Sequence, residues 1–332
     1  MTNLLRMNAA RSGVLVFIVL LALAPGLYFG FEHAVSLFLI GIAAMAPIAL
    51  GAAGEVIVER CGMFNIGIEG MMLVSALFST WVATVSGSLG WAIIAGGVSG
   101  GLLGLAFGVL ATRGRFNQLL LGLGLNTAAV GLVTFVLFFG FGTLGFYRIP
   151  PNLRMPKVMT QYGPLSYMSC LAVVLSVGVY FILAQTRFGL RAKGVGFNPF
   201  VTDTLGIDVY RLRTVAAAVG GMFAGLAGTY LSLDWVGLIS PTLVQGRGFI
   251  ALACVKFGGL DPILTLEGAL LFGLLSSMSL WMQNLPGTAV LMRQGGSYLF
   301  LMLPYLAVLV ILVAFRQQTQ LAKGIGTPYR RA

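Results

Sequence analysis

Charge is scarce in this chain. Only 9% of its 332 residues are charged and 58% are hydrophobic, whereas a soluble domain carries about 25% charged residues. With a mean hydropathy of +0.96, the composition excludes an ordinary soluble domain and leaves a multi-pass membrane protein in contact with lipid. There are nine acidic residues and one histidine, His33. A proton relay or a hydrolytic triad therefore has little to draw on, and no two carboxylates lie within one apolar run. No Gly-Lys pair occurs, which rules out a GxxxxGK[ST] phosphate loop. Cys61, Cys170 and Cys254 are scattered without CxxC or ligand spacing, so neither a disulfide framework nor a thiolate metal site is implied. No catalytic residue, metal or cofactor is expected, and the chain is not read as an enzyme.

What is present is a series of apolar runs. Breaking the hydropathy at charges, prolines and Gly/Ser clusters gives ten, at about 13–31, 35–58, 70–86, 91–112, 118–143, 165–185, 214–233, 247–259, 262–283 and 298–315. The first imitates a signal peptide at Ala22-Leu23-Ala24, but Pro25 is a poor cleavage context and the run continues to Phe31, so it is expected to be retained as a helix. The eighth is too short to cross about 30 Å of hydrocarbon and should be a half-helix. The expectation is an all-α polytopic membrane protein of about ten spanning or half-spanning helices, one transmembrane domain over 1–332.

Alternating from an inside N-terminus puts fifteen of the twenty basic residues on the cytoplasmic side, including Arg60, Arg113, Arg115, Arg187, Arg191, Lys193, Arg211, Arg213 and Lys256. It leaves Arg148, Arg154, Lys157, Arg247 and Arg293 outside. The excess of Lys and Arg on one side puts both termini in the cytoplasm. The net charge of +11 is thereby a matter of membrane orientation, because the basic residues lie between spans rather than along a nucleic-acid-binding face.

Two connectors are long. The outer one, Gly145 to Pro164, is proline-rich and expected to be irregular. In the inner one, about 185–213, Asn198 can cap a short helix with Pro199 at its first position and Gly206 as its stop, leaving Phe200 and Leu205 displayed. Glycines recur every four residues at Gly96, Gly100, Gly104 and Gly108, and again at Gly221 and Gly225, the spacing of close helix packing.

Few polar groups enter the membrane level. Asn65, Glu69, Gln118, Asn126, Arg247 and Glu267 are the candidates, and such groups face a cavity or a partner. Asn126 can serve a pathway or an interhelical hydrogen bond. Arg247 can line a pathway or snorkel to the outer surface, and Glu267 can be a helix-terminal charge. In "ERCGMFNIGIEGMM", from Glu59 to Met72, Gly62, Gly67 and Gly70 disfavour a continuous helix, while Asn65 and Glu69 can satisfy the backbone groups that a break releases. Glu59 and Arg60 are expected to stay wet. Transporters place substrate sites at broken helices, so translocation leads over a receptor or scaffold.

These residues resemble a family, the permeases of bacterial ABC importers for branched-chain amino acids, simple sugars and nucleosides, most closely the smaller nucleoside-type permeases. The resemblance rests on "GEVIVERCGMFNIGIEGMMLVSA", "FNQLLLGLGLNTAAVGLVTF", "GFNPFVTDTLGIDVYRLRTVAAAVGGMFAGLAGTYLSL" and "QGRGFIALACVKFGGLDP". The broken-helix motif is met by Glu59, Arg60, Gly62, Asn65, Gly67, Glu69 and Gly70. The stretch with Asn198, Pro199, Phe200, Asp203, Thr204 and Gly206 is similar to the family's ATPase-coupling helix, departing from it at Phe197 and Thr202.

The resemblance implies a transport subunit that supplies half of a transmembrane pathway in a bacterial inner membrane. It also implies an ATP-binding subunit, a second permease subunit and a substrate-binding lipoprotein as partners. Nucleosides are the expected substrate, with simple sugars as the alternative, and a stand-alone secondary transporter or channel is the rival of another class. Asn126, Trp235 and Arg247 are the expected pathway residues.

Overall fold

The computed structural model describes residues 30–284, 296–306 and 309. With no water to satisfy an exposed backbone, the apolar runs fold as helices. They are α1 (Phe31–Arg60), α2 (Ile68–Ser86), α3 (Leu89–Thr112), α4 (Gln118–Phe139), α5 (Tyr167–Gln185), α8 (Val209–Tyr230) and α10 (Pro262–Gln283). A π-helical turn, Leu231–Val236, extends α8. These seven are long and apolar enough to cross a bilayer. Between α5 and α8 lie two short helices, α6 (Arg187–Phe197) and α7 (Pro199–Thr204), and between α8 and α10 lies the 11-residue α9 (Arg247–Phe257). At 1.5 Å per residue α9 covers about 16 Å, the half-helix that its run required. A short α11 (Ser297–Leu301) follows. The first apolar run, apart from Gly30 and Phe31, lies outside the described residues, as do 307, 308 and 310–315 of the tenth and the basic residues Arg6, Arg11, Arg293, Arg316, Lys323, Arg330 and Arg331.

At the centre α1 and α8 pack on each other. α3 lies along α8, α10 and α5 along α1, and α2 between α3 and α8, with α4 on the outer flank of α2. The regularly spaced glycines form the α3–α8 seam. A Cβ on Gly100 would fall 2.2 Å from the Gly221 carbonyl oxygen, and one on Gly221 would fall 2.2 Å from that of Gly100. Only hydrogen fits at these positions, so the two backbones touch directly.

The outer connector is more ordered than its prolines suggested. Strand β1 (Tyr147–Arg148) pairs antiparallel with β4 (Leu238–Ile239), which follows the π-helical turn, and β2 (Lys157–Thr160) pairs with β3 (Gly163–Ser166) as a hairpin. The expectation of an irregular loop is corrected, while the spanning segments are helical as expected. The hairpin is tied down by side chains: Lys157 Nζ lies 3.3 Å from Asp234 Oδ1, and the Ser166 hydroxyl donates to Asp234 Oδ2.

The opposite end gathers the C-terminus of α1, the start of α4, α6, α7, the start of α8 and the end of α9. Arg60, Arg113, Arg115, Arg187, Arg191, Lys193, Arg211, Arg213 and Lys256 collect there, whereas Arg148, Arg154 and Lys157 lie at the hairpin end.

Candidate functional site

The α1 helix stops where glycine permits. Gly62 takes φ 76° and its N–H donates to the Glu59 carbonyl at 2.9 Å, a left-handed helix stop of the kind glycine favours. Residues 61–67 then cross the interior without helix, and α2 begins at Ile68. The break anticipated in ERCGMFNIGIEGMM is therefore present, and its backbone is held from three helices, α1, α4 and α8.

From α1, Glu55 Oε1 accepts the Asn65 N–H at 2.9 Å. From α4, Gln118 Oε1 accepts the Phe64 N–H at 2.8 Å. Two turns further along α4, Asn126 Nδ2 donates to the Ile66 carbonyl at 3.0 Å and its Oδ1 accepts the Gly70 N–H at 2.7 Å. From α8, buried Arg213 donates through Nε to the Cys61 carbonyl at 3.1 Å. Within the loop itself, Asn65 Oδ1 accepts the Gly67 N–H at 2.9 Å. Gln118, Gly122 and Asn126 are spaced by four and share one face of α4, and a Cβ on Gly122 would lie 2.6 Å from the Gly67 nitrogen. One stripe of α4 thus holds the loop at Phe64 and Ile66 and the first turn of α2 at Gly70.

Glu69 does something else. Its Oε1 accepts the Gly246 N–H at 2.7 Å and its Oε2 the Gly248 N–H at 2.8 Å. Both donors belong to the N-terminus of α9, which Gln245 and Gly246 prepare by taking φ 52° and 77°. The expectation that Glu69 satisfies its own break is corrected: its carboxylate caps a half-helix nearly 180 residues away in sequence, where the helix dipole favours negative charge. Arg247 follows within this cap and donates through Nη1 to the Val244 carbonyl at 3.2 Å. Tyr305 closes the turn by donating to the Gln245 carbonyl at 2.6 Å.

The placement of α9 follows from its contacts. A Cβ on Gly51 would meet that of Ala251 at 3.4 Å, and Lys256 Nζ lies 2.6 Å from Glu59 Oε2, so α9 runs beside the C-terminal half of α1. Arg247 at its head therefore lies beside the middle of α1 rather than beyond its end. Glu59 does not stay wet. It is 0% exposed, and its Lys256 partner also stands 4.7 Å over the Phe64 ring. Glu55 is buried one helical turn before it, so a carboxylate pair does share one helix, because α1 runs to Arg60 rather than ending at 58. Arg60 is half-buried and donates through Nε to the Leu260 carbonyl at 2.9 Å. At α10, Asp261 is the N-cap and accepts from Ile263 and Leu264 at 2.9 and 3.1 Å. Glu267 lies beyond that first turn.

The inner connector touches this site directly. Asn198 Oδ1 accepts the Val201 N–H at 3.2 Å, Pro199 is the first residue of α7, and Gly206 after it takes φ 82°. Phe197, Phe200 and Leu205 are exposed while Thr202 is buried. Asp203 and Thr204 end α7, Thr204 turning its hydroxyl back onto the Val201 carbonyl at 2.8 Å. The preceding α6 was not anticipated. It packs so closely that a Cβ on Gly196 would lie 2.2 Å from the Arg60 carbonyl oxygen.

Of the expected pathway residues, Asn126 and Arg247 flank the first turn of α2 from two sides. Trp235 stands apart in the π-helical turn at the hairpin end, half-buried against the core. Sequence reasoning gave no role to Glu55, placed Gln118 only among the intramembrane polar groups, and took Arg213 and Lys256 only as cytoplasmic orientation charges. A signal for Glu55 existed in the GEVIVER stretch, where two glutamates four residues apart share one helix face. Among the described residues no group of His, Cys, Asp or Glu could hold a metal ion.

Residues 37–315 match the family described as the permease component of branched-chain amino acid transport systems. The chain belongs to this family. Among its relatives, the guanosine ABC transporter permease protein NupQ of Bacillus subtilis is 33% identical over 86% of this permease and 93% of its own length. The nucleoside ABC transporter permease protein NupC of Lactococcus lactis is 30% identical over 85% and 93%. The Haloferax volcanii permease protein TsgC13, provisionally assigned to glucose, is 35% identical over 74% and 77%. No solved structure matches this permease. Its relatives are transport components rather than enzymes, as the sequence implied.

Proposed function

We propose that this permease is a subunit of an ATP-driven importer for nucleosides. The observation that carries the reading is its similarity to the guanosine and nucleoside permeases along 93% of their length. A second permease subunit completes the pathway. This is supported by the pairs NupQ with NupP in Bacillus subtilis and NupC with NupB in Lactococcus lactis, all four similar to this chain. An ATP-binding subunit supplies the energy and a substrate-binding lipoprotein delivers the solute. The whole chain, 1–332, acts as one permease domain in the inner membrane of a bacterium, with about ten spanning or half-spanning helices and both termini in the cytoplasm, where the basic end of the molecule faces the ATPase.

In this reading α7 is the coupling helix. Asn198, Pro199 and Gly206 fix its ends, Phe200 and Leu205 enter the ATPase surface, and Asp203 and Thr204 complete the contact. Displacement of α7 passes through α6 at Gly196 and through α8 at Arg213 to the loop at 61–67. There Glu59, Arg60, Asn65, Gly67, Glu69 and Gly70 join α1, α2 and α9, and a shift between two packings of that junction opens the pathway beside Asn126 and Arg247. Trp235 serves its outer end. ATP and the loaded lipoprotein drive the shift by binding the two packings with different affinity.

Uptake of labelled guanosine and of labelled glucose in cells lacking and then regaining the gene tests the assignment. Loss of guanosine uptake alone is expected. Loss of glucose uptake alone favours the sugar reading, to which TsgC13 points. Transport by the reconstituted chain without an ATPase would overturn both.

A further inference from the structure

The strongest unassigned feature is a cleft between α3 and α4. It holds about 420 Å³ and is walled by Leu103, Phe107 and Leu110 on α3 and by Leu120, Gly124 and Ala128 on α4. The buried Phe107 side chain closes its floor. Its one polar neighbour, Asn117, is already engaged, because Oδ1 accepts the N–H groups of Leu119 and Leu120 at 2.9 and 3.3 Å. Beside Gly124 lies open space, with no atom within 4 Å of a Cβ placed there. Among the described residues nothing covers the cleft.

Its length and its mouth identify an occupant. From Asn117 to Ala128 the cleft wall rises about 16 Å along α4, close to the roughly 15 Å of hydrocarbon in one leaflet. At the membrane-surface end the chain turns through Arg113, Gly114 and Arg115, all exposed. No acidic residue occurs on α3, on α4 or in the turn between them, so nothing on these elements neutralises the two guanidinium groups. Arg115 is held at φ 57°, a conformation that non-glycine residues rarely adopt. The positive end of the α4 dipole adds to the field at this mouth. An apolar slot one leaflet deep beneath two arginines, neither of them in an ion pair among the described residues, matches a lipid with a negative headgroup, since basic clefts between spanning helices collect such headgroups. A protein partner matches less well. Where this chain packs helix on helix, as in the α3–α8 seam, small residues bring the backbones together, whereas the cleft is lined mainly by bulky aliphatic and aromatic side chains.

We infer that the α3–α4 cleft binds one acyl chain of an anionic phospholipid whose phosphate sits on Arg113 and Arg115. The test uses full-length protein in nanodiscs of equal parts phosphatidylglycerol and phosphatidylcholine with identical chains, released and weighed by native mass spectrometry. The wild type is expected to retain phosphatidylglycerol at least about fivefold over phosphatidylcholine, the order of one arginine's attraction. Arg113→Gln with Arg115→Gln should bring the ratio to parity, while Arg113→Lys with Arg115→Lys preserves it. Gly124→Leu, which fills the slot without touching the arginines, should lower retention of both lipids. Equal retention by the wild type, or a preference unchanged by the glutamine pair, overturns the proposal. A photoreactive residue at Leu120 in native membranes identifies the occupant independently. A lipid adduct is expected, and an adduct to another protein or to residues 1–29 of this chain would overturn the assignment.

Discussion

Gly248 lies so close to Glu69 that a Cβ on the glycine would fall 2.7 Å from Glu69 Oε2 and 2.9 Å from Glu69 Cα, while its N–H donates to that same oxygen at 2.8 Å. The carboxylate has a seat only because residue 248 has no side chain. Gly248→Ala should therefore reproduce the transport defect of Glu69→Ala, and the two substitutions combined should do little more than either alone, because both empty one contact. Uptake by the two single variants and the double variant checks this, and additive losses would show that the contacts are separate.

Glu69→Gln keeps the shape but loses the charge and leaves one oxygen where two accepted. Each hydrogen bond to a charged group contributes about 1.5–3 kcal/mol, so the variant should lose roughly one such bond in stability, read as a lower unfolding temperature in detergent. An unchanged unfolding temperature would mean that the α9 cap is not held by charge.

The Glu59–Lys256 pair makes the opposite kind of test. Lys256→Met leaves a buried carboxylate without its partner, and removing one member of such a pair costs about 3–5 kcal/mol. Glu59→Gln combined with Lys256→Met removes the stranded charge and should recover most of the loss. Yield and unfolding temperature of the two proteins decide the matter, and a double variant no better than the single would count against an ion pair.

Two glycine substitutions should differ sharply. Gly100→Ala puts a methyl group against the Gly221 carbonyl in the α3–α8 seam and should abolish accumulation of folded protein. Gly131→Ala, on an α4 face with nothing within 4 Å, should be neutral or stabilise by up to about 1 kcal/mol, the difference in helix propensity. Fluorescence-detected size exclusion of both variants provides the comparison.

Burial pushes the Cys61 thiol up to about 12. Alkylation requires the thiolate, and its fraction is lost as pH falls below the thiol's own pKa. At pH 8 the buried thiol is therefore held protonated, so Cys61 should resist maleimide until the protein is unfolded. Mass spectrometry of native and denatured samples reads the difference, and rapid labelling of the native protein would place Cys61 at a solvated surface.

The sequence carried the helices well, because spans in lipid need long apolar runs and little else. It also carried the break, since Gly62 and Gly67 announce it locally. The partners of the break were not legible. Glu69 looked like a local cap because its true donors, Gly246 and Gly248, are remote and offer only backbone, which no side-chain pattern marks. Glu59 and Lys256 looked like surface charges for a similar reason: each stands at a predicted span end, and only the packing of α9 beside α1 buries them together. The outer hairpin was hidden because its two-residue turn, Gln161-Tyr162, has none of the Asn-Gly or Asp-Gly chemistry that advertises such turns.

The seam between α3 and α8 bears on how this molecule can move. With carbonyl oxygens lodged against Cα atoms at Gly100 and Gly221, neither helix can slide along the other or roll without collision, so the pair behaves as a single strut. One end of that strut adjoins α7, and the other carries Asp234 and its grip on the Lys157 hairpin. A thrust delivered at the basic end is therefore expected to reach the hairpin as a tilt of the whole strut rather than as sliding within the seam.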